Sequence, residues 1–132
     1  MTAKCKATSL TADQRSKVGG STHISSVYEL SQGHEYTILG IMFAVQSSIF
    51  GSTALFEVRD DAGRCYSVPT CLFEIVDPRP SRWWIAKQLG DFNFVLWPHE
   101  FYQEFFHDDL SNGLPERVAE FESLVQRLKD EF

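Results

Sequence analysis

The chain has 132 residues, of which 43% are hydrophobic and 14% aromatic, and a net charge of −6. Its length and composition are those of a globular protein with one core, which excludes a disordered or fibrous chain. Three cysteines without a CxxC pair exclude a disulfide scaffold, a zinc ribbon and a thioredoxin-type site. No apolar run has the length of a signal-peptide core or a membrane span, so we expect a cytoplasmic protein with reduced thiols.

The negative charge is concentrated at the C-terminal end. Residues 1–97 carry nine basic and nine acidic side chains, whereas residues 98–132 carry three basic and nine acidic ones. Such a surplus repels DNA and RNA and attracts a basic protein. Arg79, Arg82 and Lys87 lie near tryptophans and could stack bases, but three charges are few against this acidic half. The distribution therefore predicts a basic protein partner, and neither a nucleic acid nor a membrane.

The first 26 residues have the composition of a tail. They are rich in Thr, Ser, Lys and Ala, and Gly19-Gly20 stands near their end. Four basic residues against one acidic residue leave them positively charged. We predict a mobile segment that could order on a partner or on the acidic half of the chain.

The next part of the chain predicts short antiparallel strands. Residues 33–45, 53–60 and 64–69 alternate in hydrophobicity or are rich in β-branched and aromatic residues. Gly40 predicts a bulge or a sharp bend, and DDAG at 60–63 predicts a hairpin turn. Because Pro69 cannot donate to a strand ladder, it ends the third strand or places it at an edge.

All three tryptophans follow in the next segment. Residues 71–77 read as a short apolar strand, and PRPS at 78–81 breaks the chain. Residues 82–89 and 92–97 flank Gly90-Asp91, which predicts a two-residue hairpin. Adjacent side chains of a strand point to opposite faces, so Trp83 and Trp84 separate. One of them can enter the core while the other faces solvent, the helices or a partner.

Two helices are predicted at the C-terminal end. Residues 98–110 begin with a proline and place Phe101, Phe105 and Phe106 at helical spacing. Ser111-Asn112-Gly113 ends this helix, and residues 114–132 form the second. The second helix has one apolar stripe, formed by Val118, Phe121, Val125, Leu128 and Phe132.

Strands grouped before helices favour an α+β fold over a parallel α/β sheet. We predict a small antiparallel, partly closed β-barrel of five or six short strands followed by two C-terminal helices. Residues 1–26 form a flexible tail in this prediction, and residues 27–132 a single α+β domain. Within that domain, residues 27–97 are the β-rich part and residues 98–132 the acidic two-helix part.

Several short segments carry a resemblance to known proteins. They are YTILGI at 36–41, DDAG at 60–63, LFEIVD at 72–77, RWW at 82–84 and LKDEF at 128–132. Through them the run from Tyr36 to the C-terminus resembles small bacterial proteins with an LFE(I/V)VD motif. The strand order is similar to that of Src-homology-3-like small barrels, which usually bind and rarely catalyse. Some small acidic bacterial proteins of this size are immunity proteins that neutralise a toxin, so the resemblance implies such a role.

Motifs for catalysis or metal binding are incomplete. HEFYQ at 99–103 has Gln103 where a zinc-binding HExxH motif needs its second histidine. Nothing in the sequence spacing pairs Cys65 or Cys71 with a histidine as a catalytic couple. The chain also lacks the nucleophile motif GxSxG and the nucleotide-binding motifs GxxxxGK[ST] and GxGxxG. We therefore expect no catalytic activity, no metal and no cofactor.

Residues 79–106 concentrate the aromatic and arginine side chains that protein interfaces favour at their centres. This region has more aromatic rings than one small core needs, and carboxylates lie beside them in the sequence. The candidate partner-binding residues are Trp83, Trp84, Trp97, Glu100, Tyr102, Glu104, Asp108 and Asp109. We predict an inhibitor or immunity-type protein that engages a basic toxin or nuclease through this acidic-aromatic face. The alternative is a homo-oligomeric structural or assembly protein that buries the extra aromatics in a homodimer.

Overall fold

The structure, a computed structural model, describes residues 1–19 and 27–132. In these residues the chain forms eight strands and three α-helices. The strands are β1 Thr2–Cys5, β2 Glu35–Thr37, β3 Gly40–Ser47, β4 Gly51–Arg59, β5 Cys65–Pro69, β6 Phe73–Asp77, β7 Trp84–Leu89 and β8 Asn93–Pro98. The helices are α1 Ala12–Val18, α2 Phe106–Ser111 and α3 Pro115–Lys129, and two short 3₁₀ helices span Thr70–Leu72 and His99–Tyr102.

The strands form two antiparallel sheets. The small sheet has the order β2-β1-β6 and the large sheet the order β5-β4-β3-β8-β7. The α+β class is confirmed, but the barrel is wrong, because neither sheet closes on itself within the described residues. A barrel requires its first and last strands to pair. Here the 3₁₀ turn Thr70–Leu72 takes the chain out of the large sheet after β5, and β6 joins the small sheet instead.

β1 is the central strand of the small sheet, in the segment predicted as a tail. Ala3 and Cys5 are buried while Lys4 is exposed, the alternation of a strand with one covered face. α1 begins with a capping box between Thr11 and Gln14. The tail prediction is therefore wrong for residues 1–19, because their polar composition masked both signals. Its remainder, residues 20–26, lies outside the described residues.

The first hydrophobic core fills the space between the two sheets. Phe56 of β4 meets Phe73 of β6 edge to face, with ring centroids 5.7 Å apart. Ala3, Ile38 and Val58 are fully buried beside them. The core thus joins the N-terminal strand to the middle of the large sheet.

A second core lies on the opposite face of the large sheet, under α2 and α3. It contains Leu39, Phe101, Phe106, Phe121, Leu124 and Leu128. The buried stripe of α3 includes Leu124, whereas Val118 and Phe132 of the predicted stripe are exposed. Both faces of the large sheet are covered near its centre, so four consecutive residues of β4, 55–58, are buried.

One of these four residues is a glutamate. Glu57 is 3% exposed, and its carboxyl accepts a hydrogen bond from the Ser67 hydroxyl at 2.8 Å. Burial raises the pKa of Glu57 to about 7, against the lowering effect of this bond. Gly40 pairs with Glu57 across β3 and β4, and a Cβ atom on Gly40 would lie 2.7 Å from Cδ1 of Trp97. The position therefore needs glycine because an indole ring passes close to its backbone.

Candidate functional site

The predicted site residues lie at or just before the start of β7, at the end of β8, in the segment that leads into α2 and in α2 itself. β7 and β8 pair without a break from Trp84–Pro98 to Leu89–Asn93. The turn between them therefore has three residues, 90–92, and not two as predicted. Gly90 takes a positive φ of 74° there, which glycine adopts without strain.

The adjacent tryptophans enter different layers of the fold, as strand alternation predicts. Trp84 packs against the core between the sheets, and its indole N–H donates to the Leu39 carbonyl at 2.9 Å. Trp83 is exposed, and two guanidinium groups, those of Arg82 and of Arg127 on α3, each lie 5.0 Å from its ring. Only Trp83 of this pair therefore offers its ring to a partner.

Trp97 belongs to the core under the helices. Its ring contacts those of Phe101, Tyr102 and His107, with centroid distances of 6.0, 5.5 and 5.6 Å. The Tyr102 hydroxyl donates to the Ile85 carbonyl of β7 at 2.6 Å. Trp97 and Tyr102 thus fasten the segment after β8 to the large sheet, and Tyr102 remains partly exposed.

Two of the predicted acidic residues are held in ion pairs. The buried Glu100 carboxylate binds the Arg127 guanidinium at 2.8 Å. Burial alone would raise the pKa of Glu100, but the hydrogen bond and charge of Arg127 outweigh it, so the pKa is lowered. Asp109 on α2 lies 3.5 Å from the Arg117 guanidinium on α3. These carboxylates hold α3 in place and are not free to meet a partner.

The other two predicted carboxylates flank an exposed aromatic ring. The predicted helix over 98–110 is interrupted, because residues 103–105 lie between the 3₁₀ helix and α2. Phe105 has a left-handed backbone with φ 60° and is 63% exposed. Glu104 and Asp108 are exposed and have no ion pair among the described residues. We call Glu104, Phe105 and Asp108 the acidic-aromatic surface.

Sequence reasoning did not place Phe105 in this surface. Its spacing from Phe101 and its position next to Phe106 predict a core residue on a regular helix. The helix is interrupted at residues 103–105, so Phe105 is exposed and not buried. No glycine or proline in this segment predicts the interruption. Instead, Gln103 is held by the Arg117 side chain of α3, a contact between distant segments.

A second exposed apolar region lies on the β7–β8 hairpin. Its members are Ile85, Leu89, Phe92 and Phe94, which are 52%, 37%, 73% and 43% exposed. The Phe94 ring stacks on Phe43 of β3 at 4.5 Å, and Phe43 in turn packs against the first core. Phe94 pairs with Gln88, so its ring lies on the opposite face of the hairpin from Ile85 and Leu89. We call these four residues together the hairpin surface.

A cavity of about 200 Å³ lies between β5 and the two C-terminal helices, lined by Cys65 and His107 among others. Burial raises the pKa of the Cys65 thiol well above its ordinary value and lowers the pKa of His107. Both groups are therefore neutral near pH 7. A cysteine nucleophile reacts as the thiolate, so this pair has the properties of core residues. In the described part of the chain, no three His, Cys, Asp or Glu side chains are grouped to hold a metal ion.

The described helices include none that is both long and apolar enough to cross a membrane. The function proposed below is inferred from the two exposed surfaces, one on the segment before α2 and one on the β7–β8 hairpin. No protein-family model, curated protein or solved structure matches this chain.

Proposed function

We propose that this chain is a cytoplasmic protein-binding module of the inhibitor or immunity type. It engages a basic protein, such as a toxin or nuclease, through the acidic-aromatic surface. The observation that carries the proposal is Phe105, a large ring that is 63% exposed beside two carboxylates without an ion pair among the described residues. Phe105 anchors the partner, while Glu104 and Asp108 attract its positive charge.

The backbone at Phe105 supports this role. A bulky residue with positive φ is rare, and the left-handed conformation costs about 1–2 kcal/mol. Such strain accumulates at binding and catalytic positions, where the surrounding structure maintains it. Here the strain is associated with an exposed ring and not with a buried one, so core packing does not account for it.

The binding face proposed from the structure contains fewer residues than the face predicted from the sequence. Trp84, Trp97, Glu100 and Asp109 form the framework that holds the segment in place. Tyr102, three residues before Phe105, extends the surface towards β7 through its bond to the Ile85 carbonyl. Trp83 contributes its exposed ring where the partner reaches the start of β7. The neutral Cys65 and His107 side chains support a function in binding and not in catalysis.

The test begins with capture of the partner from the native host at low salt, followed by kinetics on the purified pair. The double variant Glu104→Lys/Asp108→Lys should lose at least about tenfold in affinity, mainly through a slower association rate. Phe105→Ala should instead raise the dissociation rate about tenfold or more. Both effects should be measured by surface plasmon resonance over a range of salt concentrations.

A charge-matched control separates this surface from general electrostatic attraction. Glu74 on β6 and Glu116 on α3 are exposed carboxylates outside the acidic-aromatic surface. Glu74→Lys/Glu116→Lys changes the net charge by the same amount and should leave the affinity within about threefold of the original. Equal losses for the two double variants would refute the assigned surface, and an acidic partner would refute the proposed function.

A further inference from the structure

β7 is an open edge of the large sheet. It pairs with β8 on one side, and no described strand pairs with its other side. Soluble proteins protect such edges with prolines, bulges, short strands or several charges, because unpaired backbone groups recruit other strands. β7 has six residues, no proline, an unbroken register and Lys87 as its only charged residue.

The other sheet edges carry the protection that β7 lacks. β2 has only three residues, and β5 ends in Pro69. β6 contains Glu74 and Asp77 and has a register shift against β1. β7 is therefore the edge of the described sheets that is best suited to accept a further strand.

The charge around β7 indicates which strand it accepts. Residues 85–94 contain one basic and one acidic residue, Lys87 and Asp91, so the hairpin surface is neutral in a chain with a net charge of −6. A charged partner finds no complementary field there. A second copy of the same hairpin meets no net repulsion, and it offers the same unpaired edge strand with the same exposed side chains.

We propose that β7 pairs with β7 of a second copy in antiparallel orientation. The two five-stranded sheets then form one continuous ten-stranded sheet around a two-fold axis. Antiparallel pairing of the two β7 strands requires a two-fold axis perpendicular to the sheet, which keeps each face of the sheet continuous. Residues directly opposite each other then point to the same face, so one residue of β7 must lie opposite the same residue of the second copy. β7 contains no residue of the acidic-aromatic surface, and the dimer does not depend on the proposed function.

Symmetry and charge select one register. Two registers pair five residues of each β7, one centred on Ala86 and the other on Lys87. The second places two ammonium groups directly opposite each other, which is destabilising. The first places Ile85 of one copy opposite Lys87 of the other, where the lysine alkyl chain covers the exposed isoleucine. The Tyr102 hydroxyl does not block this pairing, because the Ile85 carbonyl that it binds faces β8. Pro98 has no N–H, so Ile85 and Trp97 form the hydrogen-bonded pair of the ladder, and residues 84, 86 and 88 present their backbone groups at the open edge.

The register is tested by cysteine cross-linking in the full chain. In the Ala86-centred pairing, Ala86→Cys places two thiols directly opposite each other, within the span of a disulfide. Gln88→Cys lies on the same face and is also exposed, but it faces Trp84 of the other copy. The two position-88 residues are then about 13 Å apart along the strands, too far to bridge. Mild oxidation should give a covalent dimer for Ala86→Cys, and none for Gln88→Cys or the unmodified chain.

Solution mass completes the test. Sedimentation velocity should show a concentration-dependent dimer of the unmodified chain. Ala86→Lys should be monomeric with an unchanged circular dichroism spectrum, because its new ammonium group is solvated in the monomer but faces its own copy in the dimer. An unmodified chain that stays monomeric at every accessible concentration would overturn the proposal and leave β7 to a strand from another protein. Cross-linking of Gln88→Cys but not of Ala86→Cys would overturn the register.

Discussion

Replacing Glu57 with glutamine should stabilise the protein above neutral pH and change its stability little in acid. The Glu57 carboxyl is buried under the helices with one hydrogen-bond donor, the Ser67 hydroxyl. Its pKa is raised from the ordinary 4.5 to about 7 by burial. Between these two pH values the folded chain therefore keeps a proton that the unfolded chain has lost.

The sign and size of the effect follow from this difference. A group whose pKa is raised by folding contributes stability that is fully present below pH 4.5 and is lost as the pH rises through 7. At 1.36 kcal/mol per pKa unit, the loss amounts to about 3 kcal/mol. Above pH 7 the original protein contains a buried anion, whereas the Glu57→Gln variant has a neutral amide of similar shape. The variant should therefore be more stable by about 3 kcal/mol at pH 8 and within about 1 kcal/mol at pH 4.5.

Urea unfolding of both proteins across this pH range measures the difference directly. Titrations of other groups affect both proteins alike and cancel, so the pH dependence of the difference reports Glu57 alone. Glu74→Gln, on the exposed strand β6, makes the same substitution at a solvated position and serves as the control. An equal effect of Glu57→Gln at pH 5 and pH 8 would show that burial does not raise the Glu57 pKa, and would refute the reasoning.

Three further substitutions test the site and its supports. Arg127→Ala should destabilise the protein by about 2–3 kcal/mol in urea unfolding, because it leaves the buried Glu100 carboxylate without its cation. The Arg127 guanidinium binds both oxygens of the Glu100 carboxylate, at 2.8 and 3.1 Å. If Arg127→Lys costs as much, this bidentate geometry matters more than the charge. Gly40→Ala should cost about 1–3 kcal/mol and alter the near-ultraviolet circular dichroism of Trp97, since the new Cβ atom would overlap the indole. Unchanged stability would mean that the ring moves aside freely. Phe105→Gly should raise stability by about 1 kcal/mol through relief of the left-handed strain, while weakening partner binding. A loss of stability would show instead that the Phe105 ring contributes to packing.

Much of the large sheet could be predicted from local sequence signals. The alternation in residues 53–60, the DDAG turn and the glycine at position 90 each involve residues close together in the chain, and each has its counterpart in β4, the β4–β5 turn and the β7–β8 hairpin. The divergence of Trp83 and Trp84 also follows from the two-residue period of a strand. Such features depend on backbone geometry and not on which distant segment comes to pair.

The arrangement of the sheets could not be predicted in the same way. Whether β6 continues the large sheet or joins β1 depends on a contact between residues far apart in sequence, such as Cys5 with Phe73. The break before α2 likewise depends on Arg117 of α3, which holds Gln103 and Asp109. These contacts between distant segments changed the candidate site most. Ion pairs with arginines hold two of the predicted carboxylates, Glu100 and Asp109, and the interruption before α2 exposes the Phe105 ring, which was not predicted.

The central position of β1 in the small sheet has a consequence for folding. The strand precedes both of its neighbours in the chain, and one of them, β6, does not exist until residue 77 has been added. The hairpins of the large sheet close through short turns, whereas the small sheet must close a long loop. The chain loses the entropy of that loop before the strand pairing stabilises the sheet. Folding should therefore proceed from the large sheet outward. Until β6 has been synthesised, Ala3 and Cys5 of β1 lack the cover of the complete small sheet and are open to contacts with other chains.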